Sequence, residues 1–121
     1  MGIPVKWFDE TTWSVAGITA TPANALAAPG SFCGFSLHNP NMDAVYLHIY
    51  DALAANVTVG TTAPLRTFEI PASGQREETS PPMAQSPCAT AVSYAVTTTL
   101  AGSTTPGTAL SGKIFFKKTG Y

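Results

Sequence analysis

The chain has 121 residues, is 45% hydrophobic and only 11% charged, and carries a formal net charge of −1. A chain of this length predicts one domain, and its hydrophobic content and balanced charge exclude intrinsic disorder. The balance also excludes the basic surface that direct nucleic-acid binding needs, and no segment is long and apolar enough to predict a membrane span.

The low charge content leaves two interpretations open. Ordinary soluble domains are about 25% charged, and here Thr, Ser and Ala take the place of the missing charges. A surface of hydroxyl and methyl groups is desolvated at little free-energy cost, which suits protein–protein contact. The same composition is typical of a Thr-rich β protein without any such contact, because strands favour β-branched residues.

Neither the cysteine content nor the N-terminal sequence indicates a secreted protein. Cys33 and Cys88 are too few for a disulfide framework, and a reducing cytoplasm would keep both as thiols. Cys33 lies in an apolar strand pattern and is predicted to be a small core residue. The spacing of the two cysteines neither indicates nor excludes a bridge. No basic segment followed by an apolar one occurs at the N-terminus, so a signal peptide is not indicated.

The first thirty residues differ from the rest of the chain. Short strands are predicted over 5–8 and 12–15, and an Ala-rich segment with two prolines follows over 17–30. The prolines prevent a sustained helical period. We therefore interpret 1–30 as an extended N-terminal arm or a long surface loop, and 31–121 as the folded domain.

Two strand patterns follow the arm. Over 31–39, Cys33, Phe35 and Leu37 occupy one face, and Phe32, Gly34, Ser36 and His38 occupy the other. A turn signal over 39–41 separates this strand from a second one over 44–50. Because only about five residues connect the two, they are predicted to form an antiparallel hairpin.

The strand over 44–50 has the clearest alternation in the chain. Its aliphatic side chains Val45, Leu47 and Ile49 face one way and predict the core, while an aromatic stripe faces the other, formed by Tyr46, His48 and Tyr50. The stripe has two interpretations. It covers a second layer of the same fold, which we favour, or it contacts a partner subunit, where Tyr is enriched.

The remaining segments complete an all-β pattern. A short helical turn is possible over 51–55, and further strands are predicted over 65–70, 75–79, 90–100 and 113–117. Three lysines flank the last of these and are interpreted as solvated edge charges, namely Lys113, Lys117 and Lys118. Seven or eight short strands separated by Pro and Gly predict an antiparallel β-sandwich or a jelly-roll-like barrel.

No residue pattern in the chain carries a recognisable chemistry. His38 and His48 are the possible bases for a nucleophile such as Cys88, but no spacing connects them. Across the predicted hairpin the two histidines would face each other and, with Asp43 or Asp51 nearby, supply too few ligands for a structural metal. We therefore predict no enzyme, no cofactor and no metal site, and a small enzyme using either histidine is the least favoured hypothesis.

Four segments, in this order, resemble small structural proteins of tailed bacteriophages. They are YLHIYD from Tyr46, VTVGTTAPLRTFEIPASG from Val57, AVSYAVTTTLAGSTTP from Ala91 and SGKIFFKK from Ser111. The resemblance extends over roughly residues 31–118. Such proteins are similar to capsid decoration (cement) proteins and small tail components, commonly with jelly-roll or related β-sandwich folds. The pattern marks fold positions and implies no site residues.

The resemblance implies a non-enzymatic virion protein, a capsid decoration or cement protein that stabilises the shell across subunit boundaries. Its expected partners are the major capsid protein and further copies of itself, as a dimer or trimer. Its expected location is the capsid surface, after assembly in the host cytoplasm. The aromatic candidates for a partner interface are Trp7, Phe8, Trp13, Tyr46 and Tyr50. The alternative is a tail or adhesion module that recognises a host glycan through exposed aromatic side chains.

Overall fold

Proline, glycine and asparagine turns divide the chain into short extended segments, and the computed structural model describes residues 10–79 and 86–118 of it. Nine strands form in this part, and one turn of 3-10 helix, Ala54–Asn56, lies between the fourth and the fifth. The strands are β1 (Glu10–Ile18), β2 (Ala23–Leu26), β3 (Gly30–Asn39), β4 (Val45–Tyr50), β5 (Arg66–Ile70), β6 (Gly74–Thr79), β7 (Ser86–Cys88), β8 (Val92–Thr97) and β9 (Leu110–Lys118).

The strands pair antiparallel in two sheets. Sheet A has the order β1-β9-β3-β6, with β7 also paired to β3, and sheet B has the order β2-β8-β4-β5. Both β6 and β7 pair antiparallel with β3, one after the other along the same edge, so we count them as one edge strand. Counted that way, eight strands in two four-stranded sheets have the strand order of a jelly roll. The predicted all-β sandwich is confirmed.

The core lies between the sheets because each strand places its apolar side chains on the inner face. Val45, Leu47 and Ile49 of β4 are at most 1% exposed, as the alternation predicts. On the same inner layer Phe68 of β5 packs against Phe35 of β3, with ring centroids 4.9 Å apart. Full burial of such a side chain contributes about 1.5–3 kcal/mol. The alternation in β4 therefore determines which face of sheet B lies against the core.

A β-bulge at Cys33 changes the predicted faces of β3. The partner of Phe32 on β9 is Phe116, but the partner of Gly34 is Phe115, so Cys33 is one extra residue in the ladder. The backbone of Gly34 has φ 137°, a conformation that favours glycine. As a result Phe32 belongs to the core together with Phe35, instead of sharing a face with His38. Cys33 is buried, as predicted.

The predicted hairpin of β3 and β4 is wrong. The two strands lie in different sheets, because the segment 40–44 crosses from sheet A to sheet B. Asn39, the last residue of β3, is fully buried, and its side-chain amide donates to the carbonyl oxygens of Asp43 and Pro71, both at 3.0 Å. The side chain of Asn39 thus anchors the crossing, and the short length of the connection gave no indication of this role. His38 and His48 consequently do not face each other.

Much of the segment interpreted as an arm is part of the sandwich. Residues 10–18 pair along their length with β9, and residues 23–26 pair with β8. Both strands are therefore integral to the sheets, which corrects the loop interpretation for these residues. Residues 1–9 lie outside the described part of the chain, so an arm over those residues stays a prediction.

Candidate functional site

The structure does not bring together the histidines and cysteines that were candidates for catalysis or metal binding. His38 is exposed on the outer face of sheet A, whereas His48 is buried on the outer face of sheet B. In the described residues no group of three or more His, Cys, Asp or Glu side chains is arranged to hold a metal ion. Cys33 and Cys88 are both buried thiols that no disulfide joins.

The Cys88 thiol is protonated at neutral pH. Burial, and then the charge of Asp51, raise its pKa to about 11. The Asp51 carboxylate is fixed beside it by accepting hydrogen bonds from the backbone N–H groups of Thr90 at 2.9 Å and Ala89 at 3.1 Å. Because the thiolate is the nucleophilic form of cysteine, this environment makes Cys88 unreactive.

The outer face of sheet B is covered by the protein's own loops. Tyr46 is half-buried, while His48 and Tyr50 are only 3% and 2% exposed. On the neighbouring strand β8, Ser93 and Thr97 are fully buried. The segments 51–64 and 98–105 form the cover. The aromatic stripe therefore faces a second layer of the same chain, which is the interpretation that the sequence favoured.

A chain of hydrogen bonds runs through His48 beneath this cover. Thr97 Oγ1 donates its proton to the carbonyl oxygen of Thr99 at 2.7 Å, so it must accept from His48 Nε2 at 2.8 Å. His48 is then protonated on Nε2, and Nδ1 accepts from the hydroxyl of Thr67 at 3.0 Å. Burial lowers the pKa of His48, in keeping with a neutral ring. The imidazole thus joins β5, β4 and β8.

A cavity of about 240 Å³ lies above this histidine. His48 and Tyr50 form its floor, segment 60–64 forms one wall, and segment 100–102 forms the other. Leu100 stands at the rim with 63% of its surface exposed. This is a concave site, which sequence reasoning did not identify because its walls come from two loops about 40 residues apart.

The outer face of sheet A is open to solvent. Its exposed or half-buried side chains come from β3, β6 and β9 and are Ser36, His38, Gln75, Glu77, Ser111, Lys113 and Phe115. The pairing of β3 with both neighbours sets Glu77, Ser36 and Lys113 in one row across the sheet. Together they border a shallow depression of about 390 Å³. We call these seven residues the A face.

The sequence suggested that the lysines of the last strand protect a sheet edge, but this strand is not at an edge. β9 lies inside sheet A, between β1 and β3, so Lys113 projects from the middle of the A face. Phe115 lies two residues further on and is half-buried. The alternation of Ser111, Lys113 and Phe115 with the buried Ile114 and Phe116 is the sequence signal from which the A face was predictable.

The aromatic interface candidates lie in different places. Trp7 and Phe8 are outside the described residues. Trp13 lies in β1 and pairs through its backbone with Ile114 of β9, and its side chain is outside the described part of the structure. Tyr46 is half-buried, and Tyr50 is buried and so presents no free ring face to solvent. A partner contact through any of the five stays a prediction.

Comparison with known proteins identifies no relative of this chain. In the described residues no helix has the length and apolar character to cross a membrane. No protein-family model matches the chain, and neither a curated protein nor a solved structure does so.

Proposed function

We propose that this protein is a structural component of a tailed-phage virion, a non-enzymatic capsid decoration protein that binds the shell across subunit boundaries. The proposal starts from the sequence resemblance and is supported by the jelly-roll strand order. Viral capsid and lectin domains commonly have this fold. Because one fold serves many functions, the strand order supports the proposal without deciding it.

The observation that carries the proposal is the contrast between the two outer faces. Loops close the outer face of sheet B, whereas no loop of the described residues 10–79 and 86–118 covers the A face. It carries Glu77 and Lys113, which have opposite charges and lie on either side of Ser36, among hydroxyl, amide and aromatic groups that a partner can contact. The half-buried Phe115 adds an aromatic side chain of the kind that is enriched at protein interfaces.

The partners in this proposal are the major capsid protein and further copies of the chain. A β-sandwich of this size makes one modest contact with each neighbour. Repetition of that contact over a symmetric shell makes the total attachment strong without any chemistry. An N-terminal arm, which stays a prediction for residues 1–9, would add contact area to a neighbouring subunit.

The test is co-sedimentation of the purified protein with phage capsids that lack it, with bound copies counted by quantitative mass spectrometry. Saturation at hundreds of copies per particle is the expected result. Phe115→Ser and Lys113→Glu should each weaken binding by about tenfold or more, since central interface residues dominate the binding free energy. Met42→Ser is the matched control, because Met42 is 89% exposed and lies outside the A face.

Other results of this experiment would contradict the proposed function. Saturation at a few copies would contradict a decoration role and indicate a tail, portal or vertex component. Wild-type binding by Phe115→Ser and Lys113→Glu would reject the A face as the docking surface. Absence of binding would leave the glycan-recognition alternative, which then depends on Trp7 and Trp13, since Tyr50 is buried.

A further inference from the structure

The cavity on the outer face of sheet B has the size of a small-molecule site. Its volume is about 240 Å³, and an engineered cavity of about 150 Å³ is known to hold benzene. There is therefore room for one six-membered ring with a small substituent. Drug-sized ligands occupy pockets of about 300–1,000 Å³, so a larger ligand would extend beyond the walls.

Backbone hydrogen bonds hold both walls in place. On one side, the Thr58 N–H donates to Thr62 Oγ1 and the Thr62 N–H donates to the Thr58 carbonyl, both at 2.8 Å. On the other side, the Thr98 N–H donates to the Thr104 carbonyl at 3.0 Å. A ligand would thus meet a largely preformed site and would lose little free energy to ordering the loops.

The floor presents one polar group with no partner. Tyr50 is 98% buried, yet its hydroxyl makes no hydrogen bond to the described residues. Every fully enclosed side-chain N or O in that part of the chain has a partner, so the exposed remainder of Tyr50 is the hydroxyl, which opens into the cavity. Both ring nitrogens of the adjacent His48 are already hydrogen-bonded. The Tyr50 hydroxyl is therefore the polar group of the floor that a ligand can hydrogen-bond.

The lining also determines the charge of the ligand. None of the residues around the cavity is acidic or basic, and the floor histidine is neutral. The walls contribute methyl groups, Pro64, backbone and the hydroxyl groups of Thr61 and Thr62, with Leu100 at the rim. The Thr62 hydroxyl already accepts a hydrogen bond from the Thr58 N–H. An ion would lose its hydration there without gaining a counter-charge, whereas an apolar ring would be stabilised.

We infer that this cavity binds a small neutral molecule, consisting of one apolar ring and a single polar substituent that hydrogen-bonds to the Tyr50 hydroxyl. The ring would lie between segments 60–64 and 100–102, above His48. This site is on the opposite sheet from the A face, and the inference does not depend on the proposed capsid function.

The test is an NMR titration of the ¹⁵N-labelled full chain with p-cresol and with toluene, which differ only in the hydroxyl group. We expect p-cresol to shift the amide signals of 60–64 and 100–102 and to bind more tightly than toluene. In Tyr50→Phe, the affinity for p-cresol should decrease by about two- to tenfold, the effect of one hydrogen bond, while toluene binding is unchanged. Tyr46→Phe is the matched control, since Tyr46 lies on the same strand face and does not line the cavity.

A second variant keeps the test decisive if Tyr50→Phe does not fold. Ala101 is an exposed wall residue, and Ala101→Phe should narrow the cavity and abolish binding of both probes. The inference would be overturned by shifts elsewhere on the protein, by the absence of binding at millimolar probe, or by equal p-cresol affinity in Tyr50→Phe. Tighter binding of methyl α-glucoside than of p-cresol would refute the ligand class.

Discussion

The side-chain oxygen of Asn39 accepts two hydrogen bonds from Asn41, one from its backbone N–H and one from its side-chain amide, each at 2.9 Å. Asn41 in turn bonds the backbone of Thr108 through both side-chain atoms, at 2.8 Å each, and its carbonyl accepts from the Ser73 N–H. Three connections between the sheets therefore meet at these two asparagines: the crossing after β3, the turn before β6 and the loop before β9.

Replacing Asn39 should lower the stability of the whole domain. Asn39→Ala removes a fully buried side-chain amide that donates to the part-buried carbonyl oxygens of Asp43 and Pro71, and each buried group left unsatisfied costs about 1–3 kcal/mol. We expect the free energy of unfolding in urea to fall by about 2–4 kcal/mol. Asn56→Ala is the control, because Asn56 is exposed and its only hydrogen bond in the described structure is made by the backbone. Equal stability of the two variants would contradict the anchoring role.

His48 should make the fold sensitive to acid. In the folded state burial lowers the pKa of His48 below 6.5, its ordinary value. Below about pH 6.5 the unfolded chain therefore binds more protons than the folded one. The contribution of His48 to the free energy of unfolding is then fully present above pH 6.5. The free energy of unfolding decreases as the pH falls below this value, by up to about 1.4 kcal/mol per pH unit. Urea denaturation between pH 7.5 and 5.5 measures this slope.

Two variants assign the slope to its residue. His48→Gln retains a donor and an acceptor for Thr97 and Thr67 but does not titrate, so its slope should be flatter. His38→Gln replaces an exposed histidine and should keep the wild-type slope. If His48→Gln showed the wild-type slope, the acid sensitivity would have to come from other groups.

Asp51 should stabilise the turn between β7 and β8. Its burial raises the pKa, but hydrogen bonds from the backbone of Thr90, Ala89 and Ala91 outweigh this effect and lower the pKa below 3.8. The stabilisation is therefore present above pH 3.8 and is lost as the pH falls below it. Asp51→Ala should cost about 1–2 kcal/mol and accelerate amide hydrogen exchange at Thr90. Asp43→Ala, at an exposed aspartate, should leave that exchange rate unchanged.

Gly112 should tolerate no side chain. It has φ +148° and lies in β9 beside Leu37, where an added Cβ would overlap the carbonyl oxygen of Ser36. We expect Gly112→Ala to lower the free energy of unfolding by about 2–4 kcal/mol. Gly107→Ala is a suitable control, since its Cβ would meet nothing closer than 3.7 Å. A urea midpoint equal to that of this control would show that β9 can shift away from β3.

The sequence predicted the strands in which the alternation of side chains along the backbone is regular. Alternation identified β4 and its two faces because Val45, Leu47 and Ile49 are all apolar and their neighbours are not. It failed at β3, where the bulge at Cys33 changes the period, and the three-residue β7 was missed because Pro87 resembles a turn residue. Such a proline is tolerated because β7 lies at a sheet edge.

The sites were less predictable because their partners are distant in sequence. A five-residue connection normally indicates a hairpin, and the contact that instead sends β4 to the other sheet joins Asn39 to Pro71, 32 residues away. Likewise His48 meets Thr97 across 49 residues. No local pattern encodes these pairs. The A face, by contrast, follows from simple alternation in β9.

The position of β9 determines when this protein can fold during its synthesis. The strand is translated last, yet it lies between β1, which is translated first, and β3. Until residue 118 has left the ribosome, β1 has no partner in the described structure and β3 lacks one of its neighbours. Nascent chains should therefore remain open and rich in exposed strand edges until β9 has been synthesised and can pair, which makes them prone to aggregation before that point. A premature stop codon before β9 would remove the pairing of the first strand as well as the last one.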